Sequence, residues 1–452
     1  MGIPMNQQPT YLTLIQSLLN SPKDEQITIL QNNLELIDDN FARILREWAT
    51  QTIAEMESEE ATNITINILN FCVLIHEFLL GSKSSNMEIA IAGYEMVLQV
   101  FNRDTYAESW ALIQNILAAA YSDRIKFDRG ENIEKAIECY LAALEVRTRD
   151  ALPQDWADTQ NNLAIAYKNR IKFDPGENIE KAIECYLAAL EVRTRDALPQ
   201  QWADTQICLG NAYKNRIKFD RGENIEKAIK FHDAALEVYT RQAFPEQWAM
   251  TQNNLGSAYS DRIKFDPGEN IEKAIACYKL ALEVYTRAAF PQYWAMTQNN
   301  LAAAYSDRIR EDKAQNLEKA IACYKLALLV RTRADFPQDW AQTQNNLAAA
   351  YSDRIREDKA QNLEKAIACY KLALLVRTRA DFPQDWAATQ NNLATAYYFR
   401  IREDKAENIE KAIACYDLAL EVYTRAAFPQ EWAMTQNNLA NAYRNRIRED
   451  KA

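Results

Sequence analysis

Histidine is nearly absent: His76 and His232 are the only two in 452 residues. Metal centres and acid–base catalysts draw heavily on that side chain, so such chemistry has little to work with here. The eight cysteines form no C-x-x-C, which leaves structural zinc without its usual ligand spacing. Nine glycines and twelve prolines are few for this length, so long stretches run without a breaker and favour helices over many short strands. Positive charge is also short, 52 Lys and Arg against 63 Asp and Glu. The resulting −11, with no basic stripe, offers no footprint for a phosphate backbone. The most apolar stretch, Ile64 to Leu80, carries Asn67, Asn70, His76 and Glu77 and is too short and polar to span a bilayer. Met1-Gly2-Ile3-Pro4-Met5-Asn6 lacks the basic and apolar parts of a secretory signal. Asn6 stands where a myristoylation signal has Ser or Thr, and Met5 reads as the natural start. The expectation is a cytoplasmic protein with no cofactor, binding neither nucleic acid nor membrane.

What is present is repetition. Trp110, Trp156, Trp202, Trp248, Trp294, Trp340, Trp386 and Trp432 are each 46 residues apart. Leu follows seven residues after each, from Leu117 to Leu439, and Tyr eleven after, from Tyr121 to Tyr443. Trp156, Leu163 and Tyr167 thus share one face of a first helix (A), and Ala182, Tyr186 and Ala189 one face of a second (B). Pro153 suits the first turn of helix A, and Asn178 with Glu180 reads as the cap and acidic first turn of helix B. The unit is a helical hairpin. Ordering its 46 residues costs roughly 1–2 kcal/mol each, whereas a buried Trp returns only about 4–6 kcal/mol. Stacking on neighbours must supply the rest.

The register extends backwards to Asn86–Val97 as a helix B, with Ile64, Phe71 and Ile75 in the Trp, Leu and Tyr places of its helix A. The predicted architecture is all-α: an N-terminal helical cap over residues 1–59, then a solenoid over 60–452. About eight helical pairs run to residue 425, followed by an unpaired helix A near 429–446. Because Lys451-Ala452 stops one residue short of the next helix B, the chain reads as cut from a longer one, with an effector as the missing part.

Leu-[Ala/Gly]-x-x-Tyr followed by Ala-x-x-x-Tyr-x-x-Ala resembles the tetratricopeptide repeat (TPR), lengthened from the family's usual unit and with Gln160, Gln206 and Gln252 in the family's Trp place. Thr-Gln-Asn-Asn-Leu-Ala is similar to the kinesin-light-chain-like subgroup. Trp-Ala-Met-Thr-Gln-Asn-Asn-Leu, Tyr-Ser-Asp-Arg-Ile, Phe-Pro-Gln-Asp-Trp and residues 39–45 resemble the TPR arms of cyanobacterial-type proteins that end in CHAT, a caspase-like protease module. The resemblance implies a right-handed superhelix with a concave groove that binds protein or peptide. It also implies a regulatory or sensor role for an attached CHAT effector.

Six cysteines recur at one place (Cys139, Cys185, Cys277, Cys323, Cys369, Cys415), where Phe231 substitutes once, which marks an apolar site rather than a ligand. His232 replaces a helix B tyrosine and reads as packing. No nucleophile, phosphate-loop or metal motif appears, so no enzyme is expected. The polar feature of interest is a helix A column: Asn115, Asn161, Asn253, Asn299, Asn345, Asn391 and Asn437, broken by Ile207. On the TPR resemblance it faces the groove, where amides can pair with a peptide backbone. The competing reading is that these amides bond to the adjacent hairpin. Neighbours on that face are Asp158, Asp204, Met250, Met296 and Met434, with Asp261, Asp307 and Asp353 farther along. The loop inside the hairpin carries Phe127, Phe173, Phe219 and Phe265, then Glu311, Glu357 and Glu403, forming either a docking edge or a packing contact. Residues 299–341 and 345–387 are identical, as interchangeable bricks would be. A self-assembling spacer is the alternative to a recognition arm.

Overall fold

The computed structural model describes residues 8–449, with side chains described to Arg446. The readings of Gly2, Met5 and the Lys451-Ala452 end lie outside those residues. Among the described residues there are twenty α-helices and a single-turn 3₁₀ segment, Leu34–Leu36, and no strand. The first three helices are α1 (Gln8–Asn20), α2 (Lys23–Asn32) and α3 (Asp39–Glu55). The A helices are α4 (Ser58–Glu77), α6 (Ala107–Asp123), α8 (Pro153–Lys168), α10 (Pro199–Lys214), α12 (Pro245–Ser260), α14 (Pro291–Asp307), α16 (Pro337–Asp353), α18 (Pro383–Tyr398) and α20 (Pro429–Glu449). The B helices are α5 (Lys83–Val100), α7 (Arg129–Leu144), α9 (Pro175–Ala189), α11 (Arg221–Leu236), α13 (Pro267–Leu282), α15 (Lys313–Ala327), α17 (Lys359–Leu374) and α19 (Lys405–Leu420).

Two start signals alternate along the chain. From α8 onward each A helix opens on proline, whose missing N–H costs nothing there. The Trp156 amide already donates to the Leu152 carbonyl at 2.8 Å. B helices are capped by aspartate, in α9 and α13 ahead of a proline of their own: the Asp174 carboxylate accepts the Glu177 N–H at 2.8 Å, and Asp128, Asp266, Asp312 and Asp404 cap the same way. Asn178 is therefore not the cap. It lies one turn inside α9, 3% exposed, and its amide donates to the Lys172 carbonyl at 2.9 Å, closing the loop onto the helix.

The chain divides into two compact units, Met1–Asn224 and Ile225–Ala452. In the first, α4 pairs with α5, α6 with α7 and α8 with α9, while α5 packs on α6, α7 on α8 and α9 on α10. The second repeats this from α12·α13 to α18·α19, each B helix from α13 packing on the next A helix and the last on α20. Helix α3 lies along α5, where Arg46 pairs with Glu95, Ser85 with Asp39 and Thr50 with Met96. In the second unit one continuous apolar core runs from Ile271 through Tyr305, Tyr324, Tyr351 and Tyr370 to Ala442. These hairpins share a core with their neighbours, as a TPR-like solenoid does.

The tryptophans differ from expectation. All eight repeat indoles are only half-buried, with Arg103, Arg241 and Arg425 set 5.8–5.9 Å from the rings of Trp110, Trp248 and Trp432. B-helix tyrosines such as Tyr94 and Tyr186, both 0% exposed, are fully covered instead. An indole is large enough to stabilise a hairpin edge while keeping one side wet.

Candidate functional site

The asparagine column links hairpins. Asn115 Oδ1 lies 3.2 Å from the Thr159 hydroxyl of the next A helix, Asn161 3.4 Å from Thr205, Asn253 3.2 Å from Thr297, Asn299 3.3 Å from Thr343, and Asn391 3.2 Å from Thr435. Each of these threonines is 0% exposed. Thr159 also sits 2.7 Å from the Asp155 carbonyl, so its single proton is shared between two acceptors and the amide oxygen is only partly engaged. Asn345 departs from the pattern: its Oδ1 is covered yet has no partner among the described residues. Asn253, Asn299 and Asn391 are buried at 4–8% exposure, Asn115, Asn161 and Asn345 are half-buried, and Asn437 is exposed.

Buried arginines extend this polar seam. Arg147, Arg193, Arg331 and Arg377 donate through Nη1 to Thr159, Thr205, Thr343 and Thr389 at 2.9–3.1 Å. Arg193 Nη2 reaches Asp158 at 2.6 Å, so that acid, predicted to face a ligand, holds an arginine. Tyr285 and Tyr423 fill the arginine's place elsewhere, donating to backbone carbonyls at 3.3–3.4 Å. Burial lowers the pKa of Arg147, Arg331 and Arg377, with Asp155, Asp339 and Asp385 opposing it.

Two clefts in the second unit lie one repeat apart. One of about 300 Å³ is lined by Asp353, Tyr370, Asn392, Thr395 and Phe399 among others, the second of about 500 Å³ by Ser306, Asp307, Tyr324, Asn346 and Asp353. Burial pushes Tyr324 and Tyr370 upward, and Ser306 and Ser352 act against it. Asp307 is raised by burial, with Lys313 opposing. Of the other predicted neighbours, Met434 is 52% exposed, while Met250 and Met296 are half-buried.

A second column escaped the sequence reading. Arg124, Arg170 and Arg216 in the first unit grip Glu88, Glu134 and Glu180 of the preceding B helix, Nε to Oε1 at 2.7–2.8 Å and Nη2 to Oε2. Arg262, Arg308, Arg354 and Arg400 repeat this on Glu226, Glu272, Glu318 and Glu364. The guanidinium holds Glu134, Glu226, Glu272, Glu318 and Glu364 below the usual carboxylate range. The signal was in plain view: Arg and Glu recur at a constant offset of 36.

The rim residues meet the same arginines. Phe127, Phe173, Phe219 and Phe265 lie over Arg124, Arg170, Arg216 and Arg262 at 3.9–4.2 Å, and all four are at φ 67–69°. In later copies Glu311, Glu357 and Glu403 hold φ 63–66° and pair with Arg308, Arg354 and Arg400 instead. The eight cysteines are free, and burial pushes Cys323, Cys369 and Cys415 up to about 11 and Cys139, Cys185 and Cys277 to about 12, which leaves them poor nucleophiles. His232 is 0% exposed, and His76 packs edge-on to Tyr94 at 6.3 Å. Among the described residues no group of His, Cys, Asp and Glu could hold a metal ion, and no helix is long and apolar enough to cross a membrane.

Comparison with known families agrees with this geometry. Residues 294–331 and 340–377 match the tetratricopeptide repeat model, and 114–145, 157–191, 249–283 and 387–421 match the Sel1 repeat model. Six segments of the chain are of the tetratricopeptide or Sel1 repeat type. No curated protein sequence matches the chain. Among solved structures this repeat protein resembles the apo form of RapI at a TM-score of 0.52, with 14% identity over 85% of this chain and 99% of RapI. That likeness shows the fold. A Rap protein complexed with Competence and Sporulation Factor aligns at 0.41 with 12% identity, over 90% of this chain and 99% of that one. BtubC (BKLC) from P. vanneervenii aligns at 0.34 with 19% identity, over 62% and 94%. Neither of these two adds to the argument.

Proposed function

We propose that the chain is a protein-recognition arm whose A helices take an extended segment of a partner along the asparagine column. Repeats of this type are generally protein–protein interaction scaffolds. One observation carries the reading: amides recur at one place on successive A helices, and half-buried Asn115, Asn161 and Asn345 keep hydrogen-bonding capacity that their neighbours do not use. Side-chain amides pair with main-chain groups whatever the partner's sequence, and the clefts beside Asn346 and Asn392 would take its side chains. The N-terminal helices up to residue 59 act as the cap of the array. On the sequence resemblance, the arm governs a CHAT-type protease effector. Eight free thiols fit a reducing cytoplasm.

The test uses the asparagines least committed to stacking. Asn345→Ala and Asn437→Ala together are expected to weaken binding to a bead-displayed library of unstructured peptides at least tenfold, about 1.4 kcal/mol. Thermal stability should fall only slightly. Equal binding by wild type and variant, or no peptide bound by either, contradicts the proposal. A structural spacer is the second reading, favoured by the Thr–Asn bonds between hairpins. It predicts instead that Asn253→Ala, Asn299→Ala and Asn391→Ala destabilise the protein while nothing binds.

A further inference from the structure

The loop edge of the first unit exposes a row of large apolar side chains whose outer faces stay in water. Leu79 is 96% exposed, and Ile125, Ile171 and Ile217, one repeat apart from it and from each other, are 59–70% exposed. Phe127, Phe173 and Phe219 add three rings at 67–71%. The edge is contiguous: a Cβ on Gly130 would lie 3.4 Å from Lys172 Cε of the next loop, and one on Gly176 would stand equally close to Lys218.

The chain supplies its own control for whether folding needs these rings. Glu311, Glu357 and Glu403 occupy the same left-handed backbone slot and satisfy the same arginine by charge. Phenylalanine is a poor choice for positive φ, and glutamate is no worse. Folding therefore does not explain why consecutive copies present phenylalanine to water.

We infer that this edge is a self-association surface, and that its occupant is the same edge of a second copy of the chain. Two arguments favour a copy. Seven side chains of this exposure offer roughly 700 Å² of apolar surface. That exceeds the ~300–600 Å² largest patch of an ordinary monomer and approaches the ~800 Å² each partner gives a standard interface. The charges are also self-complementary. Exposed Lys172 and Asp174 flank Phe173, and exposed Lys218 and Asp220 flank Phe219. A two-fold axis across the edge sets each lysine against an aspartate of the other copy. This inference is independent of the helix A reading, which concerns a different face.

Sedimentation equilibrium of the full chain over about 1–100 µM, where a marginal interface of this size dissociates, is expected to show the mass doubling. The variant Phe127→Glu, Phe173→Glu, Phe219→Glu copies the later repeats and should keep its helicity yet remain monomeric throughout, its dissociation constant raised at least tenfold. Hydrogen exchange on the wild type gives a second measurement that needs no variant: residues 171–174 and 217–220 should gain protection as concentration rises. A wild type that stays monomeric overturns the inference, and so does a dimer that the three glutamates leave intact. Protection confined to other segments, or this edge covered only by a different protein, overturns it equally.

Discussion

Gly93→Ala lowers the stability of the first hairpin by about 3 kcal/mol, at the upper end of overpacking costs. A Cβ there would stand 2.0 Å from Cys72 Sγ and 3.4 Å from Ile68 Cγ2, and both neighbours are 0% exposed. The helices cannot part cheaply, because Ile89, Ala90 and Tyr94 are closely covered around the contact. The later hairpins say what should repair it. One repeat on, Gly93 becomes Cys139 and Cys72 becomes Ala118, so the sulfur has moved from helix A to helix B. Cys72→Ala combined with Gly93→Cys rebuilds that arrangement and should recover most of the loss, whereas Gly93→Cys alone should be at least as damaging as alanine. Denaturant titration of wild type, Cys72→Ala, Gly93→Cys and the double variant measures the coupling. A Gly93→Ala protein as stable as wild type would mean α4 and α5 are not packed as described.

Arg170→Ala is expected to cost about 3 kcal/mol, because it leaves a largely covered carboxylate without its partner. The Arg170 side chain is 11% exposed and that of Glu134 21%, and the pair joins the end of one hairpin's A helix to the preceding B helix. The same substitution bares one face of Phe173. Removing both charges with Arg170→Met and Glu134→Met should cost much less than Arg170→Ala, since no orphaned charge remains. The sign with pH follows from the depressed Glu134. A carboxyl held low in the folded state stabilises fully above its ordinary unfolded value near 4.3, and that stabilisation is lost as pH falls through the folded value. Wild type and Arg170→Ala should therefore converge in stability on acidification. Urea unfolding at neutral pH and in acid gives the comparison, and a gap that widens in acid would contradict this assignment.

Both results rest on contacts that sequence periodicity shows unevenly. The hairpins were legible because 46-residue spacing and the 7-and-4 pattern of Trp156, Leu163 and Tyr167 report burial directly. The cap of helix B was misplaced: Asn178 and Asp174 both have capping chemistry, and only the loop geometry decides that the aspartate caps while the asparagine turns back to Lys172. The left-handed slot was illegible at Phe127, since nothing about phenylalanine signals positive φ, although Gly81 one repeat earlier stands in it at φ 76°. The asparagine column was found, but its threonine partners were not. Thr159 and its equivalents lie two residues before each asparagine in the sequence yet bond to the asparagine one hairpin back. Periodicity gives which face a residue occupies; it does not give which neighbour claims it.

The central claim is that hairpins are interchangeable units stabilised by contact with their neighbours. Deleting residues 299–344 tests it most directly, because the join restores the local sequence and removes one complete repeat. The shortened protein should fold with unchanged ellipticity per residue and unfold cooperatively, with only a modest loss of stability. Loss of helicity throughout the chain, or a collapsed state that no longer unfolds cooperatively, would contradict it.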